Sequence, residues 1–162
     1  MRLTVLGAGA WGTALAISAA PRHEVMLWAR DPAQVAAMAH ARCNARYLPG
    51  APWPRALAVT DDLLQALAHA DSGLLIVATP MAALRETLSG LADDSRVFWL
   101  CKGFEAGTGL LGHQVAAQVL PAARVGVLCE TDTVRCESSS NKAFTRLDLP
   151  APLGAATTNR LP

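Results

Sequence analysis

The chain has 162 residues, 52% of them hydrophobic and 17% charged, with a formal net charge of +1 at pH 7. That length supports one domain with a core of its own and is short for a two-domain enzyme, and the hydrophobic share suits buried parallel strands. The near-neutral balance implies no nucleic-acid partner and no membrane surface, and no apolar run approaches the roughly 20 residues that span a bilayer.

Arg2–Leu6 reads as a buried strand that ends directly in a G-x-G-x-x-G turn at Gly7, Gly9 and Gly12, and residues 11–20 read as a helix of small residues. The apolar start is too short for a signal peptide and flows into the glycine loop, so a cytoplasmic address is expected. A second strand is predicted at Glu24–Trp28, completing a βαβ unit of roughly 30 residues. In such a unit Gly7 permits the tight turn, Gly9 lets a pyrophosphate approach the backbone, and Gly12 lets the helix pack on the strand. Spacing alone is shared with ordinary turns. Its place between strand and helix, where backbone N–H groups and the helix dipole converge, points to a dinucleotide.

The residue that reads the adenosine ribose lies about 20 positions further on, at the end of the second strand. Ala29, Arg30 and Asp31 stand there. Asp31 precedes Pro32 and is favoured as the N-cap of a helix beginning at residues 33–38. Arg30 is then left for the cofactor. Pairing with a 2′-phosphate tilts the choice to NADP, an arginine stacked over adenine is compatible with NAD, and a solvated surface arginine is the plain alternative.

Residues 44–54 are rich in proline and read as an extended loop, followed by a strand at Leu57–Thr60 and a helix over 63–69 capped by Asp61 or Asp62. An almost wholly apolar strand over 73–78 ends at Thr79-Pro80 and suits the centre of a parallel sheet. Residues 81–91 read as a helix with Leu84, Leu88 and Leu91 on one face, and 97–101 as a strand with Lys102-Gly103 at its carboxyl end. A helix over 110–120, ended by Pro121, and a strand over 124–128 follow. Six strands alternating with helices predict an α/β fold of Rossmann type, a doubly wound, mainly parallel sheet with helices on both faces. Its ligands lie outside the carboxyl ends of the strands, where the glycine loop, Arg30, Thr79-Pro80 and Lys102 all fall.

Residues 1–128 are therefore expected to form the cofactor-binding domain, and 129–162, which lack helical or strand period, an irregular and poorly ordered tail. Cys43, Cys101, Cys129 and Cys136 form no C-x-x-C pair and show no zinc-like spacing with the histidines, so no metal site is expected. The chain has only two lysines, Lys102 and Lys142.

With these residues placed, the chain resembles the NAD(P)-dependent glycerol-3-phosphate dehydrogenases of bacterial type. The resemblance rests on residues 5–16 (Val-Leu-Gly-Ala-Gly-Ala-Trp-Gly-Thr-Ala-Leu-Ala), His23-Glu24-Val25 with Leu27 to Pro32, and Asn44-Ala45-Arg46-Tyr47-Leu48-Pro49-Gly50. It extends through Ile76-Val77-Ala78-Thr79-Pro80 and Lys102-Gly103-Phe104-Glu105, in the family's order. It implies that Gly7, Gly9, Ala10, Trp11 and Gly12 line the pyrophosphate of NADP or NAD, that Arg30 faces the adenosine ribose, and that Tyr47 also touches the cofactor. Pro80 would border the nicotinamide side, and Lys102 would reach nicotinamide and substrate. A cation there, beside a glycine, suits an oxygen that gains charge during hydride transfer. A lysine that simply snorkels at the sheet edge is the structural alternative.

The implied reaction is reversible hydride transfer between the nicotinamide and sn-glycerol 3-phosphate, giving dihydroxyacetone phosphate, a supply of phospholipid precursor. After the sixth strand the family continues with a Ser-Gly-Pro-Ser type turn and a helical substrate domain with a second essential lysine. Here Cys129-Glu130-Thr131-Asp132 follows, Lys142 has flanks that do not match, and the change reads as a truncated or frame-shifted product. The expectation is a chain that keeps cofactor binding with little or no dehydrogenase activity. A catalytically inactive dinucleotide-binding fragment is the second reading, and a short-chain or 6-phosphogluconate-like dehydrogenase sharing the loop is a third. Apolar surface at the sheet edge near the sixth strand would favour self-association.

Overall fold

A computed structural model describes residues 1–71 and 73–128, so the tail expected over 129–162 lies outside the described residues. The chain alternates β1 (Arg2–Leu6), α1 (Ala10–Ala19), β2 (Glu24–Trp28), α2 (Pro32–Ala41), β3 (Leu57–Thr60), α3 (Leu63–Ala70) and β4 (Leu74–Val77). It continues through a short 3-10 turn (Met81–Ala83), α4 (Leu84–Ser89), β5 (Arg96–Trp99), α5 (Gly112–Val119) and β6 (Arg124–Val127). The six strands form one sheet in the order β3-β2-β1-β4-β5-β6, and every pairing is parallel. The Rossmann-type expectation holds, with a sheet parallel throughout.

Alternation along the strands builds two cores. Leu3 and Val5 of β1, Val25 and Leu27 of β2, Ile76 of β4 and Phe98 of β5 meet Ala16 and Ala19 of α1 and Met38 of α2 on one face. Leu6, Leu75, Val77, Val97 and Trp99 point to the other face and meet Ala66 of α3, Leu84 and Leu88 of α4, and Ala116 of α5. Helices therefore cover both faces, and the small residues of α1 let it lie close to the sheet. Each fully buried aliphatic side chain contributes about 1.5–3 kcal/mol by leaving water. Thr4, at the centre of β1, is fully buried and pairs its hydroxyl with His69 Nδ1 at 2.8 Å.

Two expected helices are shorter than their apolar spacing suggests. Over 81–91 the chain first makes a 3-10 turn, with the Ala83 N–H donating to Pro80 O at 2.9 Å, and α4 ends at Ser89 before Gly90. Leu91 thus packs from beyond the helix. Over 110–120, Leu110 and Leu111 belong to a loop instead: Glu105 N–H donates to Leu110 O at 2.8 Å and Phe104 bridges Leu111 antiparallel. The helix begins only at Gly112, where a Cβ would stand 2.7 Å from Trp99 Nε1.

The proline-rich segment after α2 is less extended than its composition predicts. Leu48 N–H donates to Asn44 O at 2.8 Å, closing a turn that carries Tyr47. Arg42, in the left-handed region at φ 49°, closes the rest, with Nη2 donating to Pro54 O at 2.6 Å and Nη1 to Leu57 O at 3.2 Å.

Candidate functional site

Strand order reverses between β1 and β4, and the carboxyl edge at that point is where an open parallel sheet binds ligands. The loops that leave this edge are tied to neighbouring strands. Gly7 N–H donates to Trp28 O at 2.9 Å, Ala29 N–H to Thr60 O at 3.1 Å and Ala78 N–H to Leu6 O at 2.7 Å. Leu100 N–H donates to Val77 O at 2.9 Å and Leu128 N–H to Trp99 O at 3.0 Å. The glycine loop, Arg30, Thr79-Pro80 and the approach to Lys102 thus start from one rigid rim.

The three glycines of the loop face different surroundings. Gly7 has φ +115°, and a Cβ on it would stand 2.8 Å from the Ala78 carbonyl oxygen. A Cβ on Gly12 would run into the Gly7 carbonyl oxygen and lie 3.0 Å from Ala78 Cβ. Gly9 is unlike both: its φ is −74°, and a Cβ there would meet nothing within 4 Å. The protein's own packing demands glycine at Gly7 and Gly12 and leaves the space over Gly9 open. That open space lies at the start of α1, which has Gly9 as N-cap, no side-chain cap and no acidic residue in its first turn. Uncapped N–H groups and the positive end of the dipole favour an anion there.

Ala10 and Trp11 open α1, with Trp11 54% exposed. Arg30 is exposed and makes no hydrogen bond or ion pair among the described residues, whereas Asp31 Oδ1 accepts from Ala33 N–H at 2.9 Å as the cap of α2. The cap expected at Asp31 is the one observed. Tyr47 is exposed, with the Arg46 guanidinium carbon 5.0 Å from its ring centroid, a cation–π distance. Pro80 is exposed at the end of β4, next to Thr79, whose buried Oγ1 has no hydrogen-bond partner among the described residues. An orphaned buried hydroxyl on this rim fits a polar ligand atom that completes it.

Lys102 is exposed on the loop after β5, followed by Gly103 at φ +100°. Further along this loop, Glu105 accepts from Arg85 Nε at 2.7 Å and Arg85 Nη2 at 2.8 Å, and from Thr108 Oγ1 at 2.5 Å. The Arg85 guanidinium, and then the Thr108 hydroxyl, hold the Glu105 carboxyl at about 2. Burial pushes the neighbouring Cys101 thiol up, which keeps it protonated and poorly nucleophilic at neutral pH.

Residue patterns do not single out Asn44 and Gln34, which bind the glycine loop from behind. Asn44 Nδ2 donates to Ala8 O at 2.9 Å and to Thr13 Oγ1 at 2.8 Å, and Gln34 Nε2 donates to Ala8 O at 3.1 Å. The one signal for Asn44 is its place at the head of the Asn-Ala-Arg-Tyr-Leu-Pro-Gly stretch. Among the described residues no group of histidine, cysteine, aspartate and glutamate could hold a metal ion, and no helix is long and apolar enough to cross a membrane.

The chain is similar to glycerol-3-phosphate dehydrogenase (NAD(P)+) of Methylibium petroleiphilum, 61% identical over 131 residues that cover 79% of this chain and 39% of the relative. It is 54% identical over 139 residues to the enzyme of the same name from Leptothrix cholodnii, covering 79% of this chain and 41% of that one. Among solved structures it is similar to glycerol-3-phosphate dehydrogenase from Coxiella burnetii, with TM-score 0.70 and 32% identity, covering 77% of this chain and 39% of that chain. A prephenate dehydrogenase from A. aeolicus shares the fold at TM-score 0.55 and 12% identity, covering 85% of this chain and 45% of that chain. The chain thus spans about two fifths of the length of the curated relatives it matches. Residues 2–131 match the family described as NAD-dependent glycerol-3-phosphate dehydrogenase N-terminus, and the chain belongs to that family.

Proposed function

We propose that residues 1–128 form a dinucleotide-binding domain that takes NADP or NAD across the carboxyl edge of the sheet. The observation that carries this reading is the uncapped start of α1 beside Gly9, where an added Cβ would meet nothing within 4 Å. Gly7, Gly9, Ala10, Trp11 and Gly12 would line the pyrophosphate. Arg30, exposed and without a partner among the described residues, would meet the adenosine ribose and favour a 2′-phosphate. Tyr47 would border the adenosine half and Pro80 the nicotinamide half.

A nicotinamide cofactor, when bound, donates or accepts a hydride. In the whole family enzyme the partner would be sn-glycerol 3-phosphate or dihydroxyacetone phosphate, and Lys102 would bind the substrate oxygen that gains charge. Oxidation of the alcohol also needs a base for its proton and a site that holds it against the ring. Lys102 is the lysine of residues 1–128, and the chain covers 39% of its 61%-identical relative. We infer that the chain by itself retains mainly cofactor binding, in a cytoplasmic setting, with the outer edge of β6 as a surface for self-association. Titration with NADPH and NADH, beside a spectrophotometric assay of dihydroxyacetone phosphate reduction, tests both parts. Saturable binding without turnover is expected; robust turnover refutes the second part, and no binding refutes the first.

A further inference from the structure

The peptide joining Ala8 to Gly9 is gripped at its carbonyl. Asn44 and Gln34 both donate to the Ala8 oxygen, at 2.9 Å and 3.1 Å. Asn44 is only 1% exposed, its amide nitrogen also donates to Thr13 Oγ1 at 2.8 Å, and its Oδ1 accepts from Tyr47 N–H at 3.3 Å. With the nitrogen and the oxygen of its amide both engaged, the side chain has one orientation. Gln34 comes from α2, the helix whose cap, Asp31, adjoins Arg30.

No peptide bond in the described chain is cis. In a trans peptide the C=O and the following N–H point in opposite directions. Holding the Ala8 oxygen against two amides therefore turns the Gly9 N–H away from them. That N–H meets no acceptor among the described residues, and the space over Gly9 is open. We propose that Asn44 and Gln34 are positioning residues for the cofactor's pyrophosphate, acting through this one peptide. They aim the Gly9 N–H at the phosphates and occupy the Ala8 carbonyl, whose partial negative charge would oppose an anion in any other orientation. This role rests on the cofactor reading above.

The test is an NADPH titration of the ¹⁵N-labelled chain, following the Gly9 amide resonance, for wild type, Gln34→Ala and Asn44→Asp, with a thermal melt of each. Wild type should saturate with a large downfield shift of the Gly9 amide. A carboxylate cannot donate to a carbonyl oxygen, so Asn44→Asp should weaken NADPH binding by at least about tenfold and diminish the Gly9 shift. Should Asn44→Asp fail to fold, Gln34→Ala, at a half-buried position, carries the test, with a smaller loss of affinity and a reduced Gly9 shift at an unchanged melting temperature. A general loss of structure would not single out that amide. Variants that bind NADPH as wild type does, with the same Gly9 shift, overturn the positioning role alone. A wild type that never saturates overturns the cofactor reading, and the proposal with it.

Discussion

Arg85 and Glu105, 20 residues apart, form a two-point ion pair with Nε and Nη2 on the two carboxylate oxygens at 2.7 Å and 2.8 Å. Arg85 lies on α4 and Glu105 on the loop that carries Lys102, and Arg85 Nη2 also donates to Gln118 Oε1 of α5 at 2.9 Å. The pair thus fastens the loop after β5 to two helices.

Its pH dependence follows from the Glu105 carboxyl, held at about 2 against an ordinary 4.5. A carboxyl with a depressed pKa adds stability above its unfolded pKa, and that contribution fades as pH falls through the folded value. Arg85→Ala should therefore lower the melting temperature at pH 6 and bring it closer to wild type at pH 3. Melting curves at the two pH values check this. A deficit of constant size would show that the carboxylate is not the partner that matters.

The capping choice after β3 is settled by geometry: Asp62 Oδ1 accepts from Leu64 N–H at 2.9 Å and Gln65 N–H at 3.2 Å. Asp62→Ala should cost about 1 kcal/mol in urea unfolding, the usual value of an N-cap. Asp61→Ala should cost much less, since Asp61 contributes its main-chain carbonyl to Trp28 Nε1 at 3.0 Å. Equal costs would contradict the assignment.

Arg30→Ala should weaken NADPH by about tenfold and NADH only slightly, as expected for the loss of a charge-assisted contact to a 2′-phosphate. Parallel titrations decide it. Equal losses would favour an arginine stacked on adenine.

The strands, their order in the chain and the helices on both faces are legible because short apolar runs bounded by turn residues are a local signal. The runs Arg2–Leu6 and Leu74–Val77 are legible as strands in this way. The helix starts near Met81 and Leu110 are not, because local spacing does not reveal a 3-10 turn after Pro80 or a bridge from Phe104 to Leu111. The support behind the glycine loop is hidden for a related reason. Asn44 stands 36 residues from Ala8, in a segment whose prolines mark it as loop, and only the fold brings its amide beneath the glycines.

Gly7 and Gly12 should be structural positions. Gly7→Ala and Gly12→Ala should each lower stability by about 1–3 kcal/mol, through contact with the Ala78 and Gly7 carbonyls and, at Gly7, a φ of +115°. Chemical denaturation of the two variants measures this, and wild-type stability in both would contradict the close approach.

Gly9→Ala is the decisive comparison, because its methyl group enters space the protein does not use. An NADPH titration of wild type and Gly9→Ala, followed by nicotinamide fluorescence beside a thermal melt, should show saturable binding by wild type. The variant should melt as wild type does and bind at least about tenfold more weakly. An absence of saturable binding by wild type, or a Gly9→Ala chain that binds NADPH equally well, would contradict a pyrophosphate site at the start of α1.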